Sequence, residues 1–109
     1  MNKTIAMNQF EPEVMEEHAG QAVELLKSMA NQSRLMILCQ LSQGELSVSD
    51  INKTIPISQS ALSQHLAALR KSDLVATRKV AQTIYYRLNG DATIKIIEVL
   101  QSIYCPTVV

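Results

Sequence analysis

Two cysteines are the residues of this sequence that are best suited to chemistry. Cys39 and Cys105 lie far apart in the chain, and the two histidines are His18 and His65. Two cysteines cannot complete a tetrahedral zinc site, although they could hold a linear Cu(I) ion. A structural disulfide is not expected in a reducing compartment. The two thiols are therefore free, metal-binding or redox-active.

The sequence context of the two thiols does not favour enzymatic redox chemistry. Thiol oxidoreductases use an activated cysteine, usually in a Cys-x-x-Cys motif at the start of a helix, and neither cysteine has this context. We therefore expect that the protein is not an enzyme. A purely structural role stays open, because unpaired cysteine is often buried as a small apolar residue.

A second set of candidate residues lies in the stretch SQSALSQHLAALRKSDLV, which begins at Ser58. Leu62, Leu66 and Leu69 fall at i, i+4 and i+7, a spacing that predicts one buried face of a helix. The opposite face carries Gln59, Ser60, Ser63 and Gln64. Short amide and hydroxyl side chains of this kind can hydrogen-bond to base edges in the major groove of DNA. Ser58 and the free amides of the first turn could also receive a phosphate.

The charge distribution supports an anion-facing surface, although the formal net charge is zero. Residues 53–87 hold six basic side chains against one acidic one, which gives this segment a net charge of +5. An ordinary solvated face is the alternative explanation. The candidate contacts beyond the polar helix face are His65, Arg70, Lys71, Arg78, Lys79, Gln82 and Thr83. Basic side chains suit phosphate contacts, whereas His65 is expected to be partly buried.

The periodicity predicts seven secondary-structure elements. They are a helix over 13–29, a helix that Asn31 caps and Gly44 ends, a short helix over 47–54, a helix that Ser58 caps, strands over 75–80 and 83–88, and a helix over 91–104. A short helix, a break at Pro56 and a second helix form a helix-turn-helix. The basic hairpin after it forms a wing, with Ala81 and Gln82 at its tip. The predicted fold class is mainly α with a β-hairpin, a winged helix-turn-helix.

The predicted domain covers residues 13–105, with a flexible arm over 1–12 and a tail over 106–109. The last helix is apolar on nearly all sides, which indicates burial on two sides, one of them against a partner subunit. No signal peptide is visible, and no stretch approaches the roughly 20 apolar residues of a membrane span. We therefore expect a cytoplasmic protein with no membrane partner.

Three segments resemble the ArsR/SmtB family of bacterial winged-helix repressors. They are ELSVSDI (Glu45–Ile51), SQSALSQHLAALRKSDLV and the hairpin TRKVAQTIYYRL, and ANQSRLMIL is also similar to the family's second helix. The resemblance covers roughly residues 18–105. It implies a homodimer joined through its first and last helices, which binds an imperfect inverted repeat of double-stranded DNA and is released by an inducer.

The metal-binding motifs of that family are absent from this sequence. Ser47-Val48-Ser49 stands where one metal site has Cys-x-Cys, and the last helix has no histidine. Hydroxyl groups are poor ligands for soft metal ions. We therefore expect neither a metal nor another cofactor, while a metal-responsive repressor is kept as an alternative.

The two cysteines, in the contexts ILCQL and SIYCP, resemble a BigR/SqrR/HlyU-like subgroup of the family. That resemblance implies a low-molecular-weight persulfide or polysulfide as inducer. One thiolate would take up a sulfane sulfur, and Cys39 and Cys105 would then close a disulfide or polysulfide bridge that releases DNA. Two further alternatives are a winged-helix regulator with structural cysteines only and a winged helix used for protein contacts.

Overall fold

The computed structural model describes residues 11–105, which form five helices and three short strands. In chain order these are α1 (Pro12–Met29), α2 (Gln32–Leu41), β1 (Leu46–Ser47), α3 (Val48–Thr54), α4 (Gln59–Lys71), β2 (Val75–Val80), β3 (Thr83–Leu88) and α5 (Asp91–Tyr104). The predicted winged helix-turn-helix is confirmed. Most of the predicted arm and the whole tail lie outside the described residues, and α1 begins at Pro12, inside the predicted arm.

Side-chain caps explain where three of the helices begin. The side chains of Asn31, Ser47 and Ser58 accept hydrogen bonds from backbone amides three residues later, at 3.0, 3.1 and 3.1 Å. Each bond satisfies one of the amides that a helix leaves unpaired at its start. These three N-caps confirm the helix starts that the sequence predicted.

The wing is an antiparallel hairpin whose strands pair from Val75↔Leu88 to Val80↔Thr83. Ala81 and Gln82 form its tip, as predicted, and Ala81 adopts a positive φ of 55°. A third strand, β1, pairs with the outer side of β3 through Leu46↔Tyr86 and Ser47↔Tyr85. This strand was not predicted, because two residues are too few to produce an alternating pattern.

One hydrophobic core holds the helices and the base of the wing together. Its fully buried residues include Ile37 and Leu38 of α2 and Ile97 of α5. Leu62, Leu66 and Leu69 of α4 are also buried, which confirms the predicted apolar face. Burying each such side chain contributes about 1.5–3 kcal/mol, so this face fixes the orientation of α4.

Helices α1 and α5 leave apolar side chains uncovered in the single chain. In α1, Met29 is buried but Leu26 is 54% exposed. In α5, Ile97 is buried while Val99 and Ile103 are more than half exposed. Within residues 11–105, no helix has the length and apolar composition that crossing a membrane requires.

The Ser47 cap gives a direct test of the helix-turn-helix packing. We expect Ser47→Ala to lower the free energy of unfolding by about 1 kcal/mol, because it removes the acceptor for the Asp50 amide. Ser49→Ala is the matched control, since Ser49 is exposed and follows the cap. Urea denaturation at one fixed protein concentration measures both variants. Equal midpoints for the two variants would show that the cap contributes nothing.

Candidate nucleic-acid surface and cysteine groove

The polar face of α4 is the outward face of the helix-turn-helix. Gln59, Ser60, Ser63 and Gln64 are all exposed, while the three leucines of the same helix are buried beneath them. One helix therefore holds itself to the core and presents four short hydrogen-bonding side chains to the outside. This is the arrangement that a recognition helix needs.

Ser58 and His65 have structural partners at the two ends of this face. The Ser58 hydroxyl accepts from the Ala61 amide, and it lies 3.2 Å from the Ser60 hydroxyl. His65 is half-buried, as expected, and its Nδ1 accepts a hydrogen bond from Arg34 Nε at 3.2 Å. Arg34 also donates to the Ser28 carbonyl, at 3.3 Å. His65 therefore joins α4 to α2, and Arg34 continues the connection to the end of α1. Contact of His65 with DNA stays a prediction.

Two clefts gather most of the other predicted contacts. The larger cleft, of about 900 Å³, lies between α3, the start of α4 and the wing, and it brings Gln59 together with Gln82 and Thr83. A second cleft, of about 460 Å³, is lined by Ser63, Ala67, Arg70, Lys71 and Tyr86. Both clefts combine residues of the helix-turn-helix with residues of the wing.

Arg78 has an intramolecular partner that the sequence did not reveal. Its Nε lies 2.8 and 2.9 Å from the two carboxylate oxygens of Glu45, and its guanidinium lies 5.4 Å from the centre of the Tyr85 ring. The side chain of Arg78 is still 55% exposed. Glu45 therefore neutralises part of the positive charge of Arg78. The neighbouring Lys79 has no such ion pair among the described residues.

The two cysteines line the same groove, although they come from different helices. Cys39 lies in the last turn of α2 and is half-buried, and Cys105 ends α5 and is exposed. Both are free thiols. The groove has a volume of about 630 Å³, and its other lining residues are Gln32, Leu35, Met36, Gln40, Gln43 and Leu46. We refer to these eight residues as the cysteine groove.

A hydrogen-bond network connects α2 and α5 beside the groove. The Gln101 amide donates to the Ser42 hydroxyl at 2.9 Å, and that hydroxyl donates to the Cys39 carbonyl at 2.6 Å. Gln101 lies one helical turn before Cys105. Ser42 and Gln101 were not predicted from the sequence, because their pairing joins segments that are 59 residues apart.

Burial raises the pKa of the Cys39 thiol above its ordinary value. The negative charge that Cys105 would carry raises the pKa further, and a hydrogen bond from Gln101 lowers it in part. At any given pH, a smaller fraction of Cys39 is therefore ionised than of free cysteine. The thiolate is the nucleophile, so burial and the raised pKa make Cys39 slow to react with an external electrophile. Cys105 is exposed and is therefore the more accessible of the two thiols.

The described residues contain no group of side chains that is already arranged to bind a metal ion. Among residues 11–105, no three His, Cys, Asp or Glu side chains form a group that could hold a metal ion. The two thiols stand together in the groove without a third such ligand beside them.

The fold and its polar helix define a winged-helix DNA-binding protein. A family model described as "Bacterial regulatory protein, arsR family" matches residues 31–77. The chain belongs to the ArsR family of bacterial regulatory proteins. It is thus a transcriptional regulator that has DNA as its partner, and it is not an enzyme.

Similarity to two individual regulators extends over most of the chain. The chain is 52% identical over 91 residues to the transcriptional activator HlyU of Vibrio cholerae serotype O1, covering 84% of each protein. It is 38% identical over 105 residues to the biofilm growth-associated repressor of Agrobacterium fabrum, covering 96% of this chain and 90% of that one.

Solved structures show the same fold. Reduced HlyU from Vibrio cholerae N16961 superposes with a TM-score of 0.81 at 52% identity, covering 84% of this chain and 96% of that chain. The transcriptional repressor BigR from Xylella fastidiosa superposes with a TM-score of 0.80 at 38% identity, covering 87% and 94%.

The alkylation rate of Cys39 should continue to increase at pH values at which the rate for free cysteine has reached its plateau, because the pKa of Cys39 is raised. We expect its pKa to fall in Cys105→Ser, which removes a neighbouring charge, and to rise in Gln101→Leu, which removes a hydrogen bond. In both variants burial keeps the pKa of Cys39 raised. Iodoacetamide alkylation from pH 6 to 11, with peptide mass spectrometry, follows the site directly, and urea-unfolded protein serves as the control. A Cys39 profile that matches the unfolded control would contradict the effect of burial.

Proposed function

We propose that this chain is a homodimeric repressor that is released from an imperfect inverted repeat when sulfane sulfur bridges Cys39 and Cys105. The observation that carries the proposal is the meeting of both thiols in one groove between α2 and α5. The exposure of Cys105 argues against a role in which both cysteines merely fill the core.

DNA reading is assigned to the exposed face of α4 and to the wing. We propose that Gln59, Ser60, Ser63 and Gln64 contact base edges, because their side chains are short, polar and exposed. Phosphate contacts are assigned to the basic and polar residues beside them, which are Ser58, Arg70, Lys71, Arg78, Lys79, Gln82 and Thr83. Phosphate contacts supply most of the affinity and position the helix in the groove.

Dimerisation is assigned to the uncovered apolar side chains of α1 and α5. Met15, Val23 and Leu26 of α1 are 44–54% exposed, and Val99 and Ile103 of α5 are 56% and 60% exposed. Exposed apolar side chains on two helices are typical of an interface between subunits. A two-fold dimer would place two copies of α4 against two half-sites, which explains an operator with inverted symmetry.

The sulfur chemistry can be written as two exchange steps. The exposed Cys105 thiolate attacks the outer sulfur of a persulfide RSSH, forming a Cys105 persulfide and releasing the thiol RSH. The Cys39 thiolate then attacks the sulfur of Cys105, which closes a disulfide and expels hydrogen sulfide. The balance is two thiols plus RSSH giving one disulfide, RSH and H₂S. With a second RSSH, a trisulfide bridge forms together with two RSH and one H₂S.

The last turn of α2 offers a route from the bridge to the wing. Ser42, three residues after Cys39, is bonded to Gln101, and Glu45 follows and binds Arg78. A covalent link between Cys39 and Cys105 would constrain this turn relative to α5. We infer that the link displaces Glu45 and the wing, so that the two reading helices of the dimer no longer fit the operator together.

The decisive experiment compares DNA affinity before and after treatment with glutathione persulfide. An operator is first selected from a random duplex library with the reduced protein. We expect bridging to weaken binding roughly 5- to 150-fold, the usual range of coupling between two sites. Intact-mass spectra identify the bridge, and dithiothreitol should restore binding. Cys39→Ser/Cys105→Ser should bind DNA with or without persulfide, and its release by persulfide would refute the proposal.

The ion pair of Arg78 predicts unequal contributions from two neighbouring basic residues. Lys79→Ala should lower the slope of log K against log salt by about one unit. Arg78→Ala should lower it by less, because Glu45 already neutralises part of the charge of Arg78. Glu45→Gln should strengthen binding at low salt. Fluorescence anisotropy with a random duplex measures all three, and Lys27→Ala on α1 is the control. Equal slopes for the Arg78 and Lys79 variants would contradict the shielding by Glu45.

A further inference from the structure

The cysteine groove has a chemical character that restricts what can react inside it. Of its eight lining residues none is charged. Leu35, Met36 and Leu46 contribute apolar walls, and the polar groups are the side-chain amides of Gln32, Gln40 and Gln43. A mostly apolar concavity with a few uncharged polar groups is typical of small-molecule sites.

The size of the groove fits a small organic molecule. Its volume of about 630 Å³ falls within the range of roughly 300–1,000 Å³ that small-molecule pockets occupy. The burial that raises the pKa of Cys39 shows that this wall already disfavours negative charge. A donor that brings carboxylates or ammonium groups would have to desolvate them here without a charged partner from the groove.

We propose that the cysteine groove selects uncharged, apolar organosulfur donors, such as dialkyl trisulfides, over charged hydrophilic ones such as glutathione trisulfide. The selection rests on the proposed bridge between Cys39 and Cys105 and names the class of inducer that forms it. The alkyl groups lie against Leu35, Met36 and Leu46, which leaves the central sulfurs between the two thiols.

The reaction of a trisulfide RSSSR with the two thiols is balanced without any further oxidant. One thiolate attacks a sulfur of the trisulfide and forms a mixed disulfide or trisulfide with the protein, and the second thiolate displaces the remaining group. The products are either a Cys39–Cys105 disulfide with RSSH and RSH, or a trisulfide bridge with two RSH. The two protein thiols are oxidised, and the trisulfide takes up their two electrons by releasing either two RSH or one RSH and one RSSH.

The test measures the rate of bridge formation in the reduced 109-residue protein with dipropyl trisulfide and with glutathione trisulfide. Reactions are quenched by alkylation and read by intact-mass spectrometry. Each rate is divided by the rate of the same reagent with N-acetylcysteine, which removes differences in intrinsic reactivity. We expect the normalised rate to be at least about tenfold higher for dipropyl trisulfide, the factor that burial of roughly two methylene groups provides.

Three variants separate charge in the groove from other effects. Gln43→Lys places a cation at the groove and should reduce the preference for the apolar reagent by about threefold or more. Gln43→Met removes the amide without adding charge and should keep the preference. Gln21→Lys adds the same charge on the exposed surface of α1 and should also keep it.

The outcomes distinguish this inference from the proposed function. An equal or greater normalised rate for glutathione trisulfide would overturn the selectivity, while a bridge that still releases DNA would leave the proposed function intact. Absence of a bridge with both trisulfides and with glutathione persulfide would overturn the proposed function and the selectivity together. Loss of preference in Gln21→Lys as well as in Gln43→Lys would refute the role of the groove.

Discussion

Burial of α2 between its neighbours is the constraint on which the rest of the structure depends. Ile37 and Leu38 are fully buried, and α2 packs against α4, α5 and β3. The same helix carries Cys39 in its last turn, and Arg34 near its start donates to His65 of α4. Because close-packed interiors deform little, a displacement of α2 has to be shared with the recognition helix and the wing. This packing connects the helix that carries Cys39 to α4 and β3, the elements whose neighbourhood is proposed to contact DNA.

The positive charge of Arg78 on the wing is partly neutralised by Glu45, an acidic residue outside the wing. The segment 53–87 carries a net charge of +5, yet one of its arginines is bound to Glu45, which precedes β1. The short strand β1 holds that region against β3, so the carboxylate stays beside Arg78. The number of basic residues therefore overstates the charge that is available to phosphate. Because Glu45 lies in the turn after α2, a movement of that turn would change the electrostatic potential at the wing.

The two thiols differ in environment, and this difference suggests an order for the proposed chemistry. Cys105 is open to a reagent, whereas Cys39 is half-buried and its pKa is raised, chiefly by burial. An accessible first nucleophile and a shielded second one favour initial reaction at Cys105, followed by attack of Cys39 within the same groove. The Gln101 hydrogen bonds contribute to this arrangement, because they hold α5 against the end of α2 and partly offset the effect of burial on Cys39.

The sequence by itself determined the order and limits of nearly all elements, since local signals specify them. Asn31, Ser47 and Ser58 mark helix starts, the leucines at 62, 66 and 69 define the inner face of α4, and β-branched residues define the hairpin. The family resemblance added the pairing of Cys39 with Cys105 as an expectation. Only the tertiary structure decided which groups meet across the chain: both thiols in one groove, Gln101 with Ser42, Arg34 with His65, and Glu45 with Arg78. These contacts depend on how helices and strands pack, and packing between distant segments leaves no periodic or capping signal in a single sequence.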